Sequence, residues 1–260
     1  MSMHVRRYLP SMQGRGAFDG GKITEQKPIG FSGEGSVINR IGPLFYWAWA
    51  HTPEEGHIPL HPHFGFEIMT YVIQGKAEHG DSLGTRSTVG SGGAQLIRAG
   101  SGVSHEERLI GPDMESFQIW FEPDLKVSNK REPSYEQWEH EQFPVTETAG
   151  GTVKQIVGGD APLKLSVDAG MWDVQLEAGG TYSQILHKGR ALAALALRGG
   201  GRWSGELPGV HDETFDPRDF MLLSTDHDEE ITVQAQEGPL RMLLIEVPER
   251  VDYALLPKRY

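Results

Sequence analysis

Short apolar runs, each stopped within a few residues by glycine or proline, recur along the chain, and few windows keep apolar residues at helical spacing for more than two turns. Thirty-three glycines and sixteen prolines among 260 residues supply the stops. This punctuation confines the chain to an all-β architecture. Strands are predicted at 44–50, 66–74, 94–99, 116–121, 171–176, 191–197, 220–224, 231–236 and 241–247, a spacing that suits a barrel or sandwich. The halves follow one plan: 68–75 finds a counterpart in 191–197 followed by Arg198-Gly199-Gly200, and 117–123 in 243–248. Between them the sequence is charged, broken by proline and poor in strand pattern, with a short helix predicted around 134–140. The expected division is therefore a first domain at 1–125, a linker at 126–150 and a second domain at 151–260.

The chain has no cysteine, which removes disulfides, thiolate metal sites, iron–sulfur clusters and thiol nucleophiles. Any metal must be held by nitrogen and oxygen. Arg6 and Arg7 are followed by no apolar stretch of signal-peptide length, and the longest purely apolar run, 191–197, is too short to cross a bilayer as a helix. A cytoplasmic protein is expected, without membrane association. A net charge of -12 repels phosphate backbones, and no Lys/Arg cluster overrides it, so direct nucleic-acid binding is not expected.

The pattern that carries chemistry is His61-Pro62-His63. Alternate residues of an extended strand lie roughly 6.6 Å apart on one face, so both imidazoles can reach one ion. Downstream, Gly100-Ser101-Gly102-Val103-Ser104-His105-Glu106-Glu107 joins a glycine-permitted turn to a strand that carries His105 and Glu107 on one face and Glu106 on the other. Three imidazoles and one carboxylate suit Fe(II), Mn, Co, Ni, Cu or Zn, and leave an octahedral ion two positions for substrate or O2. Glu67 has the same strand parity as His63, so on spacing alone Glu67 and Glu107 are tied as the carboxylate ligand. The second half offers Thr181–Lys188 in the corresponding place, with one histidine and no His-x-His; His187, His211 and His227 are scattered, and Asp226–Glu230 reads as a solvated acidic loop.

His61-Pro62-His63 with Gly65-Phe66-Glu67, then Glu78-His79-Gly80-Asp81-Ser82-Leu83-Gly84, Ala99–Glu107 and Phe117-Gln118-Ile119-Trp120 together resemble the pirin family of the cupin superfamily, in order and spacing over about residues 40–125. The resemblance implies a bicupin: two cupin-type β-barrels of jelly-roll form packed face to face, with one divalent metal, iron first among the candidates, in the N-terminal barrel. It assigns the ligand roles to His61, His63, His105 and Glu107, which breaks the tie against Glu67. Two departures stand out. Phe64 occupies a place where arginine is common in the family, and 92–98 lacks the usual aspartate and tryptophan. Phe64 has opposite parity to the ligands, so its substitution bears on a partner surface more than on the metal.

By the same resemblance the expected activity is that of a quercetin 2,3-dioxygenase, an oxidoreductase taking a flavonol and O2, with Glu107 as the base and Glu67 second. The alternatives are a metal-binding, redox-sensing regulator that docks on a protein partner, and a metal cupin acting on another small molecule. Phe45, Tyr46, Trp47, Phe64, Phe66 and Tyr71 are candidates either for an apolar pocket or for barrel core.

Overall fold

The computed structural model describes residues 3–206 and 212–257. Alternating or continuous apolar runs become strands throughout. They are β1 (His4–Tyr8), β2 (Gly14–Phe18), β3 (Ile23–Ile29), β4 (Leu44–Thr52), β5 (Glu55–His63) and β6 (Glu67–Asp81). After these come β7 (Arg86–Gly90), β8 (Ala94–Arg98), β9 (Val103–Phe121), β10 (Ser134–Trp138), β11 (Val145–Val157) and β12 (Gly170–Leu186). The last six are β13 (Arg190–Arg198), β14 (Gly201–Ser204), β15 (Glu213–Phe215), β16 (Phe220–Ser224), β17 (Glu229–Ala235) and β18 (Leu240–Pro248). One short helix, α1 (Leu125–Ser128), is capped by the Asp124 carboxylate, which accepts from the Lys126 amide. No helix among the described residues is long and apolar enough to cross a membrane.

The described residues form two compact units. One is drawn from Gln13–Gln142, Leu165–Val167 and Val251–Tyr260, the other from Met1–Met12, Phe143–Lys164 and Asp168–Arg250. This differs from the expected break into 1–125, 126–150 and 151–260 at both ends, within the linker and at Leu165–Val167. β1 pairs antiparallel with β16, His4 opposite Ser224, so the N-terminal strand completes the sheet of the other unit. The C-terminal tail lies on the first unit, where the Tyr253 hydroxyl donates to the Glu122 carbonyl at 2.7 Å. Within the expected linker, the helix predicted at 134–140 is instead β10, paired with β8 from Ser134–Arg98 to Trp138–Ala94. Unpaired backbone at the edge of β8 and the alternation of Tyr135 with its polar neighbours outweigh local helix preference.

The first unit holds one sheet in the order β10-β8-β6-β9-β4-β3-β2, with β5 also paired to β9 and β7 to β6. β9 is its axis: its first half lies between β5 and β6, its second between β4 and β6. The second unit is built in the same way around β12 and β18. The repeat seen in the sequence is visible in the pairing, since β6 joins β9 with Ile68 opposite Trp120 and β13 joins β18 with Leu192 opposite Glu246. The interior of the second unit is filled by apolar side chains, among them Val174, Leu192, Trp203, Phe215 and Leu244. Among the described residues, that packing leaves no three-histidine group of the kind found in the first unit.

Candidate metal centre

β5 and β9 bring the three histidines together. His61 lies directly opposite His105 and His63 opposite Val103, in a ladder made irregular between Ile58 and His61. The irregularity falls at Pro59-Leu60; it shifts the strand so that His61 meets His105 while Glu107 meets Ile58. One nitrogen from each of His61, His63 and His105 lies within 4.8 Å of the others, the one group of this kind among the described residues. His63 Nε2 is 3.0 Å from His105 Nε2. His61 Nδ1 donates to the Pro59 carbonyl at 2.8 Å, which orients the ring and keeps Nδ1 from serving as a ligand atom. The turn before His105 needs its glycines: Gly100 has φ +52, and a Cβ there would stand 2.4 Å from the Arg131 carbonyl oxygen.

Burial, then the neighbouring imidazoles, pull both His63 and His105 down to about 3, so each is a neutral base at physiological pH. Buried neutral imidazoles turned toward one another are a ready donor set for a cation, and the opposing pull of Glu107 on His63 and of Asp81 on His105 is weaker than burial. The residues present therefore fit a divalent metal of borderline softness. His105 Nδ1 is buried without a hydrogen-bond partner.

The two carboxylates differ. Glu107 is buried beside the group, close enough to His63 to favour its protonated form, but its oxygens are held by Gln118 Nε2 at 2.7 Å, Gln95 Nε2 at 3.3 Å and the Thr70 hydroxyl at 3.3 Å. It is thus a neighbour of the three imidazoles in this arrangement, outside the close group they form. Glu67 is engaged elsewhere: both oxygens accept from the Ser166 amide at 2.9 and 3.0 Å, Oε1 also from the Ser166 hydroxyl at 2.8 Å, and Arg98 Nε is 3.4 Å away. Those contacts turn the Glu67 carboxylate toward Ser166 and Arg98. Glu106 turns to the opposite face as its parity requires, beside His57 at 3.2 Å.

Cross-strand register brings further residues into the surroundings. His79 lies opposite Glu107 and Asp81 opposite His105 across β6–β9. His79 stacks on Tyr135 with ring centroids 4.3 Å apart, lies 5.5 Å from the His105 ring, and donates from Nε2 to Asp81 at 2.8 Å. The motif containing His79 and Asp81 is visible in the sequence, yet only cross-strand register reveals its place. Of the aromatic candidates, Trp47 and Tyr71 are fully buried core and Phe64 is exposed. Phe45, Tyr46 and Phe66 join Phe31 around Trp120, whose ring meets His63 edge-on at 4.9 Å. In the second unit His187 pairs with Asp228 at 2.9 Å on the surface, and His211 lies outside the described residues. The acidic loop is only partly solvated, since Glu229 is buried and accepts from the Glu206 amide.

The fold and the three-histidine group define an all-β, cupin-type protein with a candidate metal centre in one barrel-like unit. Comparisons agree. The Pirin family model matches residues 46–121. A putative quercetin 2,3-dioxygenase of Pseudomonas aeruginosa, PA1210, is 32% identical over 179 residues, covering 67% of this chain and 73% of that protein. A second from the same organism, PA3240, is 32% identical over 163 residues, covering 58% and 56%. The chain thus spans little more than half the length of some curated relatives it matches. The structure of the bacterial pirin YhhW of Escherichia coli in complex with nickel(II) superposes with a TM-score of 0.75 at 22% identity, over 95% of this chain and 100% of that one. The chain belongs to the pirin family.

Proposed function

We propose that this protein is a metal-dependent dioxygenase that cleaves quercetin-like flavonols with O2. The observation that carries the reading is the convergence of three imidazoles beside a buried carboxylate, under the aromatic group around Trp120. His61, His63 and His105 would hold the metal, with Glu107 as its fourth ligand or its adjacent base; the nickel(II) bound by YhhW and the names of the Pseudomonas relatives support this. A bound ion of this kind supplies Lewis acidity toward an enolate oxygen and access to O2.

The chain's own residues do the rest. Phe66 and Trp120 present a stacked aromatic pair, centroids 6.5 Å apart, suited to a planar ring. Glu107 is the group placed to accept the flavonol 3-hydroxyl proton, and Gln118 steadies the carboxylate that receives it. Both atoms of O2 enter the ring-opened ester, and one carbon of the heterocycle leaves as carbon monoxide.

The test is quercetin-dependent O2 uptake and carbon monoxide release by Fe(II)-loaded protein beside a His61→Ala, His63→Ala variant. Turnover in the wild type alone is expected. Metal binding with no turnover would contradict the dioxygenase reading and favour a regulator acting through a protein partner. Leu60 and Phe64, both exposed on either side of His61 and His63, favour that second reading as a contact surface.

A further inference from the structure

Glu107 sits in a set of donors whose directions are fixed from behind. Gln118 Nε2 donates to Glu107 Oε2 at 2.7 Å, while the Gln118 carbonyl oxygen accepts from Trp120 Nε1 at 3.1 Å. An indole nitrogen can only donate, so it fixes which end of the Gln118 amide faces the carboxylate. On the other side Gln95 Nε2 reaches Glu107 Oε1 and the Thr70 hydroxyl, at 3.3 and 3.2 Å. The Gln95 carbonyl oxygen faces the Tyr135 hydroxyl at 2.9 Å, which it shares with the Gln137 carbonyl oxygen at 3.0 Å, and that hydroxyl accepts from Ser87 at 2.6 Å. Thr70 adds a third donor at 3.3 Å. Gln95, Thr70 and Glu107 are buried, so these bonds act in a low dielectric and water does not replace them when one is lost.

A carboxylate that receives three such donors has less charge to give a cation, and the Gln118 donor holds Oε2 in the orientation seen here. We propose that Gln118, Gln95 and Thr70 are positioning residues that compete with the metal for Glu107, and that Trp120 and Tyr135 hold the two amides in the competing orientation. Glu107 is thereby a ligand that leaves the ion readily, which frees a coordination position for substrate and the carboxylate for proton transfer. The inference rests on the metal-centre reading above and assigns a role to side chains that bear no ligand atom themselves.

Co(II) titration of the metal-free protein, followed by its visible absorption, tests this without substrate. Gln118→Leu should bind Co(II) about tenfold more tightly than the wild type, with an altered ligand-field spectrum as Glu107 joins the ion. Trp120→Phe, which keeps the ring and removes the orienting donor, should shift affinity and spectrum the same way by less. In a Glu107→Ala background Gln118→Leu should change neither. Wild-type affinity and spectrum in Gln118→Leu and Trp120→Phe, or a change that persists without Glu107, would overturn the proposal. Turnover of quercetin plays no part in this readout, so a protein that shows the coupling and fails to turn over sinks the dioxygenase reading alone. Failure of the wild type to bind Co(II) overturns both.

Discussion

Glu67 and Glu107 have the same strand parity as the histidines, and both are buried, yet they hold different partners. Glu67 spends its oxygens on Ser166 and Arg98. Its removal as Glu67→Ala should cost about 2–3 kcal/mol in urea denaturation while leaving metal content unchanged. Burial pushes the Glu67 carboxyl above its usual 4.5, against the opposing pull of Ser166 and Arg98. The folded chain therefore holds this proton more tightly than the unfolded one, and the contribution of Glu67 to stability grows as pH falls toward 4.5. Urea titrations at pH 7 and pH 5 should show the wild type gaining on Glu67→Gln at the lower pH; an unchanged difference would contradict the assignment. The histidine set is legible from the sequence because metal ligation leaves a spacing. The donors around Glu107 are not: glutamine and threonine serve equally well on any strand, and only register places Gln95, Gln118 and Thr70 on one carboxylate.

At the level of elements, the strands with continuous apolar runs, such as β4, the first half of β6 and β13, are plain in the sequence because their burial is nearly unbroken. β5 is visible only through its histidines. Its remaining residues are mostly polar or exposed, Ile58 alone packing on the core, and its strand form comes from pairing with β9. β10 reads as a helix locally for the same reason in reverse, since the partner that makes it a strand is 36 residues away at Ser134–Arg98. Pro59 and Pro62 lack the amide hydrogens that would template another strand on β5, which keeps this edge from pairing onward. The turn that feeds β9 is the most sensitive point. Gly100→Ala places a methyl against the Arg131 carbonyl at positive φ, and should cost about 1–3 kcal/mol by thermal or chemical denaturation. Wild-type stability in that variant would show that the turn has another route.

Across the whole molecule, one plan is built twice and furnished differently. The second unit fills its interior with Val174, Leu192, Trp203, Phe215 and Leu244, where the first carries three imidazoles and a carboxylate among its aromatic side chains. The sequence shows the duplication and its asymmetry, because His61-Pro62-His63 has no counterpart in 181–188. It does not show that β1 joins the sheet of β16, or that Tyr253 returns to Glu122, since long-range pairing of short segments leaves no local pattern. The asymmetry predicts a single ion per chain, and His187→Ala, which breaks only a surface pair with Asp228, should retain it. The direct measurement is metal content by mass spectrometry after Fe(II) loading and removal of excess, on the wild type and on His61→Ala, His63→Ala. About one ion per chain in the first and none in the second is the predicted result; no metal in the wild type, or the same content in both, would contradict a centre built on these histidines.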